Sequence, residues 1–195
     1  MSSTSALENV CKKGLFGDYK DKNDNEIIKI SEVKNLLIVQ IVQYKNSTLS
    51  INDIEIDGLR LSNEISKVEC NNNTRVLWNG PKNWLLVSTK KDLLKNIQVS
   101  LDNKDFAVTD LSHSKAIIEL SGKNSKEILK KGCPFNFNEL NKNNSFNSVF
   151  HGITITIDMV DDNPNIIRLF GLRSFGESLY HSITDASLEF GYKVV

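Results

Sequence analysis

Two tryptophan-bearing apolar runs around a Gly-Pro segment constrain this chain more than any other feature. Arg75-Val76-Leu77-Trp78 and Trp84-Leu85-Leu86-Val87 flank Asn79-Gly80-Pro81-Lys82-Asn83. In that segment Asn-Gly supplies positive φ and Pro81 fixes the next turn residue, so the pattern predicts an antiparallel hairpin. A helix is expected after it, at about Lys91–Val99, with Leu93, Leu94 and Ile97 on one face. Upstream, Leu36-Leu37-Ile38-Val39 with Ile41-Val42 reads as a buried strand. Leu49, Ile51, Ile54 and Ile56, within residues 46–70, read equally as a short helix or an irregular strand.

The second half repeats this grammar. Phe106–Thr109 and Ala116–Leu120 read as strands, and Ser121-Gly122 turns the chain. A short helix then runs to about Lys130, with Ile128 and Leu129 inward. Gly132 is its expected C-terminal cap, and Pro134 blocks continuation. Phe150–Met159 alternates, with Ile153, Ile155, Ile157 and Met159 on one face and Thr154, Thr156 and Asp158 on the other. That pattern predicts a half-buried strand. Asp161-Asp162-Asn163-Pro164 is a turn and Ile166–Phe170 the next strand. In the last helix Ser174 is the expected N-cap, with Glu177 completing a capping box. Phe175, Leu179, Ile183, Ala186 and Phe190 form its apolar stripe, and Gly191 ends it.

The fold class that follows is α+β: two ferredoxin-like lobes of antiparallel sheet with packed helices, or one split sheet. The expected division is a polar N-terminal arm at 1–26, a first lobe at 27–110 and a second at 111–195. The asparagine-rich stretches Asn71–Asn73 and Asn141–Asn147 read as loops.

Charge excludes several classes of function. The 24 basic and 24 acidic residues cancel, and no window carries the basic stripe of a nucleic-acid binder. The pairs Lys12-Lys13, Lys90-Lys91 and Lys130-Lys131 read as solvated surface. Lysine, asparagine and isoleucine are abundant, as A/T-rich bacterial codons produce. Against that bias stand four arginines, Arg60, Arg75, Arg168 and Arg173, whose planar fork lysine cannot copy. Cys11, Cys70 and Cys133 are odd in number and widely spaced, which argues against a disulfide framework or a zinc site. With no signal-like N-terminus and no apolar run of membrane length, a cytoplasmic bacterial protein is expected.

Motif by motif, the chemistry is sparse. Among His113, His151 and His181, none lies in a ligand spacing. Gly171 and Gly176 have phosphate-loop separation, but Glu177 stands where lysine is needed. Ser112-His113-Ser114 reads as a turn and not as a nucleophile with its base, since neighbouring strand residues point apart. Asp158, Asp161 and Asp162 lack calcium-loop spacing and read as a solvated turn. Cys133 reads as an inert thiol, with Lys130 and Lys131 near enough in sequence to lower its pKa. Trp78 and Trp84 read either as a core cross-strand pair or as interface anchors. Arg173 reads either as a surface partner of Glu177 or Asp185, or as an anchor for a partner's carboxylate. No catalytic, cofactor-binding or metal-ligating residue is assigned to this chain.

Three ordered stretches carry a resemblance. The hairpin Val76–Val87 resembles the Leu-Trp-x-Gly-Pro-x-x-Trp-Leu hairpin of the gamma subunit of heterotetrameric sarcosine oxidase. Asp110–Ser114, Glu119–Gly122 and Leu129-Lys130-Lys131-Gly132-Cys133-Pro134 are similar to that family's strand, Ser-Gly turn, helix and Gly-Cys-Pro ending. Arg168-Leu169-Phe170, Arg173-Ser174-Phe175 and the helix ending Glu189-Phe190-Gly191 resemble its Arg-Ser-Phe helix. The resemblance implies the folate-binding aminomethyltransferase fold in a non-catalytic subunit. The implied complex oxidatively demethylates sarcosine to glycine. Oxygen becomes hydrogen peroxide, and the one-carbon unit leaves as formaldehyde or as 5,10-methylenetetrahydrofolate. It implies alpha, beta and delta partners: FAD and FMN on beta, FMN lying at its interface with alpha, NAD and tetrahydrofolate on alpha, and zinc on delta. This chain would hold no cofactor and touch neither nucleic acid nor membrane. The alternative reading is a stand-alone folate-binding aminomethyltransferase-like protein, for which Asp110 is the nominee pterin carboxylate. A third is a scaffold for another amine oxidase, such as one acting on dimethylglycine.

Overall fold

Period-two alternation and β-branched runs dominate the sequence, and strands dominate the structure. The structure, a computed structural model, describes residues 5–23 and 25–195. In chain order the strands are β1 Gly14–Phe16, β2 Ile28–Glu32, β3 Leu37–Gln43, β4 Glu55–Ile56, β5 Leu59–Arg60, β6 Val68–Cys70, β7 Thr74–Gly80, β8 Asn83–Ser88, β9 Phe106–Asp110, β10 Lys115–Ser121, β11 Ser145–Phe150, β12 Ile153–Asp162, β13 Asn165–Leu172 and β14 Tyr192–Val194. The helices are α1 Leu93–Ser100, α2 Ser125–Lys130 and α3 Gly176–Ser187, with short 3₁₀ turns between elements. No helix among the described residues is long and apolar enough to cross a membrane.

The chain divides into two units. One comprises Asn35–His113 with Asn143–Phe146, and the other the remaining residues. This differs from the 27–110 and 111–195 division, because β2 pairs with β10 and β14 and so belongs to the second sheet. Residues 5–26 are also more than a loose lead-in. Leu7 is fully buried and β1 extends a sheet by pairing with β14.

In the Asn35–His113 unit the sheet order is β6-β7-β8-β3-β9, and all four pairings are antiparallel. One face carries Leu37, Val39, Ile41, Val76, Trp84, Leu86 and Phe106. They pack against Leu93, Ile97 and Leu101 of the α1 region and against Ile51, Ile56, Leu59 and Leu61. The ambiguous residues 46–70 thus become a 3₁₀ turn, Ile51–Asp53, and the small β4–β5 hairpin that close this core.

That hairpin turns at Asp57-Gly58, with φ of 54° and 76°. Its Asp57 carboxylate accepts Thr74 Oγ1 at 2.5 Å and Lys90 Nζ at 2.6 Å, and Thr74 shares a 2.8 Å bond with Ser88. The Lys90 bond and then the Thr74 bond hold the Asp57 pKa below the ordinary carboxylate value, against partial desolvation. A depressed folded pKa contributes stability above the unfolded value, about 3.9 for aspartate, and that contribution is lost as pH falls through the lower folded value. Asp57→Asn is therefore expected to cost about 1.5–3 kcal/mol at neutral pH, the range for bonds to a charged group. Urea midpoints taken at about pH 7 and about pH 3 should show the wild type losing more stability than the variant across the carboxylate range. Equal losses would mean that the network contributes nothing.

In the other unit the order is β1-β14-β2-β10-β13-β12-β11. The pairing of β14 with β2 is parallel, a departure from the wholly antiparallel expectation. Ala116, Ile118 and Leu120 stand in register with Gly171, Leu169 and Ile167, and these with Ile155, Ile157 and Met159. Helix α3 lies on this face, bringing Leu179 and Ile183 inward. The two glycines at phosphate-loop separation are packing residues. A Cβ on Gly171 would stand 2.8 Å from Leu179 Cδ2, and one on Gly176 3.0 Å from Ala116 Cβ.

Three local expectations change. The capping box does not form: Ser174 lies inside a 3₁₀ turn, Arg173–Phe175, the N-cap of α3 is Phe175, and no side chain caps it. Gly132 is not a left-handed cap, since its φ is not positive; it is small because a Cβ would meet Phe150 Cε2 and His151 Cδ2 at 2.8 Å. And Asn141–Asn147 is not all loop, because β11 begins at Ser145.

Candidate functional site

The tryptophan hairpin forms as expected, with Trp78 directly opposite Trp84. Its turn differs. Pro81-Lys82 are the central residues, Lys82 takes φ of 55°, Gly80 takes 144°, and the register shifts between Trp78 and Gly80. Positive φ thus falls on Gly80 and Lys82, not on Asn79. Trp84 is a core residue, 1% exposed, and its Nε1 donates to Ser62 O at 2.7 Å. Trp78 is half-buried. Of the two readings of the pair, the core reading holds for Trp84.

Asp110 ends β9 and is exposed. Its Oδ1 accepts both the Ser112 hydroxyl, at 2.6 Å, and the Ser112 N–H, at 2.9 Å. Desolvation raises its pKa, but the two Ser112 bonds with the His113 and Lys91 charges outweigh it and hold the carboxyl below its usual value. Ser112 Oγ in turn accepts the Ile38 N–H at 3.0 Å. The serine hydroxyl is thereby spent on pinning a turn, and exposed His113 lies within that turn. As a pterin site Asp110 offers one surface carboxylate whose oxygen already holds two donors.

The three aspartates do not gather. Asp161 and Asp162 are the last residues of β12, and the turn itself is Asn163-Pro164; Asp161 pairs with Lys142 at 3.0 Å and accepts the Asp162 and Asn163 N–H groups. Asp158 is fully buried inside β12, and Thr156 is 7% exposed, so the central part of this strand is covered on both faces instead of half-buried. Asp158 stands opposite Arg168, which stands opposite Glu119 and donates Nε to it at 2.8 Å. One arginine is thus placed between two acidic positions, which explains why lysine does not serve here. Among the described residues no group of three or more His, Cys, Asp or Glu is arranged to hold a metal ion.

Cys133 is 6% exposed, and burial pushes its thiol pKa up, with a Ser148 bond opposing. Lys130 and Lys131 do not lower it. Their ammonium groups sit on Glu127 at 2.6 Å and on Glu189 at 2.9 Å. Arg173 is half-buried, and its backbone N–H donates to Ser114 O at 2.9 Å. Arg75 Nη1 donates to Asn143 Oδ1 at 3.3 Å, and Arg60 stands opposite Glu55, both exposed, on the β4–β5 hairpin. Among the described residues named above, no nucleophile is brought together with an oriented base.

A model of the sarcosine oxidase, gamma subunit family matches residues 51–189. The chain belongs to this family. The matched segment contains the β7–β8 hairpin with α1, the β12–β13 hairpin with α3, and the Gly132-Cys133-Pro134 ending. The sarcosine oxidase subunit gamma of Corynebacterium sp. (strain U-96) is 28% identical over 120 residues, which cover 60% of this chain and 58% of that protein. The match thus spans less than two thirds of the relative's length. Among solved structures, a chain of the heterotetrameric sarcosine oxidase from Corynebacterium sp. U-96, in complex with pyrrole 2-carboxylate, superposes with a TM-score of 0.77. It does so at 24% identity, covering 86% of this chain and 87% of that one. The glycine cleavage system aminomethyltransferase T from Bartonella henselae superposes with a TM-score of 0.60 at 11% identity, over 80% of this chain and 45% of that one. Gamma-family membership and an α+β fold shared with an aminomethyltransferase therefore stand together. Lys115, the first residue of β10, and Leu172, the last of β13, are cross-strand partners, a setting that pattern reading passes over because it depends on register.

Proposed function

We propose that this chain is the non-catalytic gamma subunit of a heterotetrameric sarcosine oxidase, acting in the cytoplasm beside alpha, beta and delta subunits. The complex would oxidise sarcosine with O2 and water to glycine, formaldehyde and H2O2, or pass the one-carbon unit to tetrahydrofolate. The observation that carries this reading is the superposition with a chain of such a complex over most of both chains. Flavins, NAD, folate and zinc belong, in this reading, to the other subunits. Each unit is read as a ferredoxin-like lobe. The orders β7-β8-β3-β9 and, with β2 inserted, β14-β2-β10-β13-β12 support that reading.

The test is co-expression of the four chains followed by a peroxide assay with sarcosine. Peroxide is expected from the assembly and none from this chain alone. Peroxide production by a three-subunit assembly that never binds this chain would overturn the assignment. The aminomethyltransferase likeness keeps the stand-alone reading in view, and calorimetric titration of the isolated chain with tetrahydrofolate separates the two. No heat of binding is expected, since Asp110 is exposed and already bonded twice to Ser112. Micromolar binding would favour the stand-alone protein.

A further inference from the structure

Lys115 opens β10 and stands directly opposite Leu172, the last residue of β13. Its side chain is half-buried, yet among the described residues no hydrogen bond or ion pair reaches the ammonium group. Alternation along β10 puts Lys115 on the face of Ile117 and Glu119, and the Glu119 carboxylate is committed to Arg168 at 2.8 Å. Glu177, at the start of α3, takes the Asn9 amide at 3.5 Å. Burial alone holds the Lys115 pKa below the ordinary lysine value, with no charged neighbour contributing. A cation that has lost part of its water and gained no counter-charge is a cost that the fold leaves open.

Two exposed apolar side chains stand near the same end of β10: Leu172 directly opposite Lys115, and Phe175 on the 3₁₀ turn that packs on β10. Leu172 is 46% exposed and Phe175 is 50% exposed. The backbone that carries Phe175 is anchored. The 3₁₀ turn bearing Phe175 packs on β10, its first residue donates to Ser114 O at 2.9 Å, and the next residue, Gly176, seats against Ala116. The surface is therefore preorganised, with apolar area beside a half-desolvated positive charge.

We propose that Lys115, Leu172 and Phe175 form the docking surface for an acidic, apolar segment of another subunit. A partner carboxylate seats on the Lys115 ammonium, and the partner's apolar side chains cover Leu172 and Phe175. This rests on the subunit reading given above. Charge complementarity selects the occupant: a purely apolar segment would finish desolvating Lys115 without compensating it, and a basic one would repel it.

Competitive acetylation with acetic anhydride, read by mass spectrometry, tests the placement in the isolated chain and in the co-expressed assembly. Lys115 is expected to be at least about tenfold less reactive in the assembly, since a bound and paired ammonium is both covered and held protonated. Lys115→Glu is expected to weaken assembly about 100-fold, as charge reversal against a carboxylate should. Leu172→Ser with Phe175→Ser should weaken it as well. Leu172 and Phe175 are exposed, so their variants should melt like the wild type, and Lys115→Met should melt no lower, since it removes a half-desolvated charge. Lys115→Met, which keeps the stem, serves as a second folded variant, and its assembly should also weaken. Equal Lys115 labelling in chain and assembly, with variants that assemble normally, would overturn the docking surface while leaving the subunit reading intact. A wild-type chain that joins no assembly would overturn both. Self-association of the isolated chain, abolished by Lys115→Glu, would make the occupant a second copy and overturn the proposal.

Discussion

Trp84→Ala should lose about 3–5 kcal/mol, the range for emptying a large aromatic site. That is a large share of the roughly 5–15 kcal/mol that holds a domain folded. Trp84 fills the centre of a core assembled from β3, β7, β8, α1 and the β4–β5 hairpin, so several elements would line the resulting cavity and none could close it. Truncation also leaves Ser62 O without its 2.7 Å donor. Trp84→Phe should recover most of the volume but not that bond, and so fall between. Trp78→Ala should cost clearly less, since that side chain is half-buried. With two tryptophans in the chain, each variant leaves one fluorophore, and urea unfolding followed by its emission gives the ranking directly. A Trp78 loss equal to the Trp84 loss would contradict the core assignment.

Gly191→Ala should be nearly as severe. After α3 and its 3₁₀ extension the chain turns at Gly191 straight into β14, with φ of 65° and ψ of 137°. That combination lies outside the left-handed helical well and is close to glycine-only territory, costing a side-chain-bearing residue about 1–3 kcal/mol. An added Cβ would also stand 2.4 Å from Asp18 O and 2.9 Å from Asp18 C, which are backbone atoms with no rotamer to change. Overpacking adds about 1–3 kcal/mol. Relaxation would have to move the β1 connection, so the expected result is a large drop in the unfolding midpoint together with lost amide protection in β1 and β14. Unchanged protection there would mean that this turn is not what fixes the sheet edge.

How far the fold could be read ahead of the structure follows from which signals are local. The Val76–Val87 hairpin is written in consecutive residues and appears in place; of the last helix's stripe Leu179, Ile183 and Ala186 are buried, whereas Phe175 is 50% exposed and Phe190 only half-buried, both in 3₁₀ turns that flank α3. Strands β1, β2 and β14 were missed or misassigned because three to five residues carry little periodicity, and their pairing joins distant parts of the chain. Alternation predicted a polar face for β12. Asp158 on that face is buried all the same, since cross-strand neighbours decide burial. Gly132 illustrates a right residue with a wrong reason: helix ends favour glycine for φ, but here the shortage is space beside Phe150 and His151. The capping-box spacing at Ser174 and Glu177 was present in the sequence, yet a 3₁₀ turn moved the helix start past the serine. At the level of function, Ser112-His113-Ser114 reads as a turn and is one, while Asp110, the nominee pterin carboxylate, is committed to Ser112. Lys115 sits in no motif and is partly desolvated without a counter-charge, a condition that only register and burial reveal.

The central claim, a subunit that works through assembly and not through chemistry of its own, is tested most directly by native mass spectrometry of the four co-expressed chains. The expected result is one assembly whose mass includes this 22.0 kDa chain. A partner complex of unchanged mass whether or not this chain is co-expressed, with the chain itself found at 22.0 kDa, would contradict the claim.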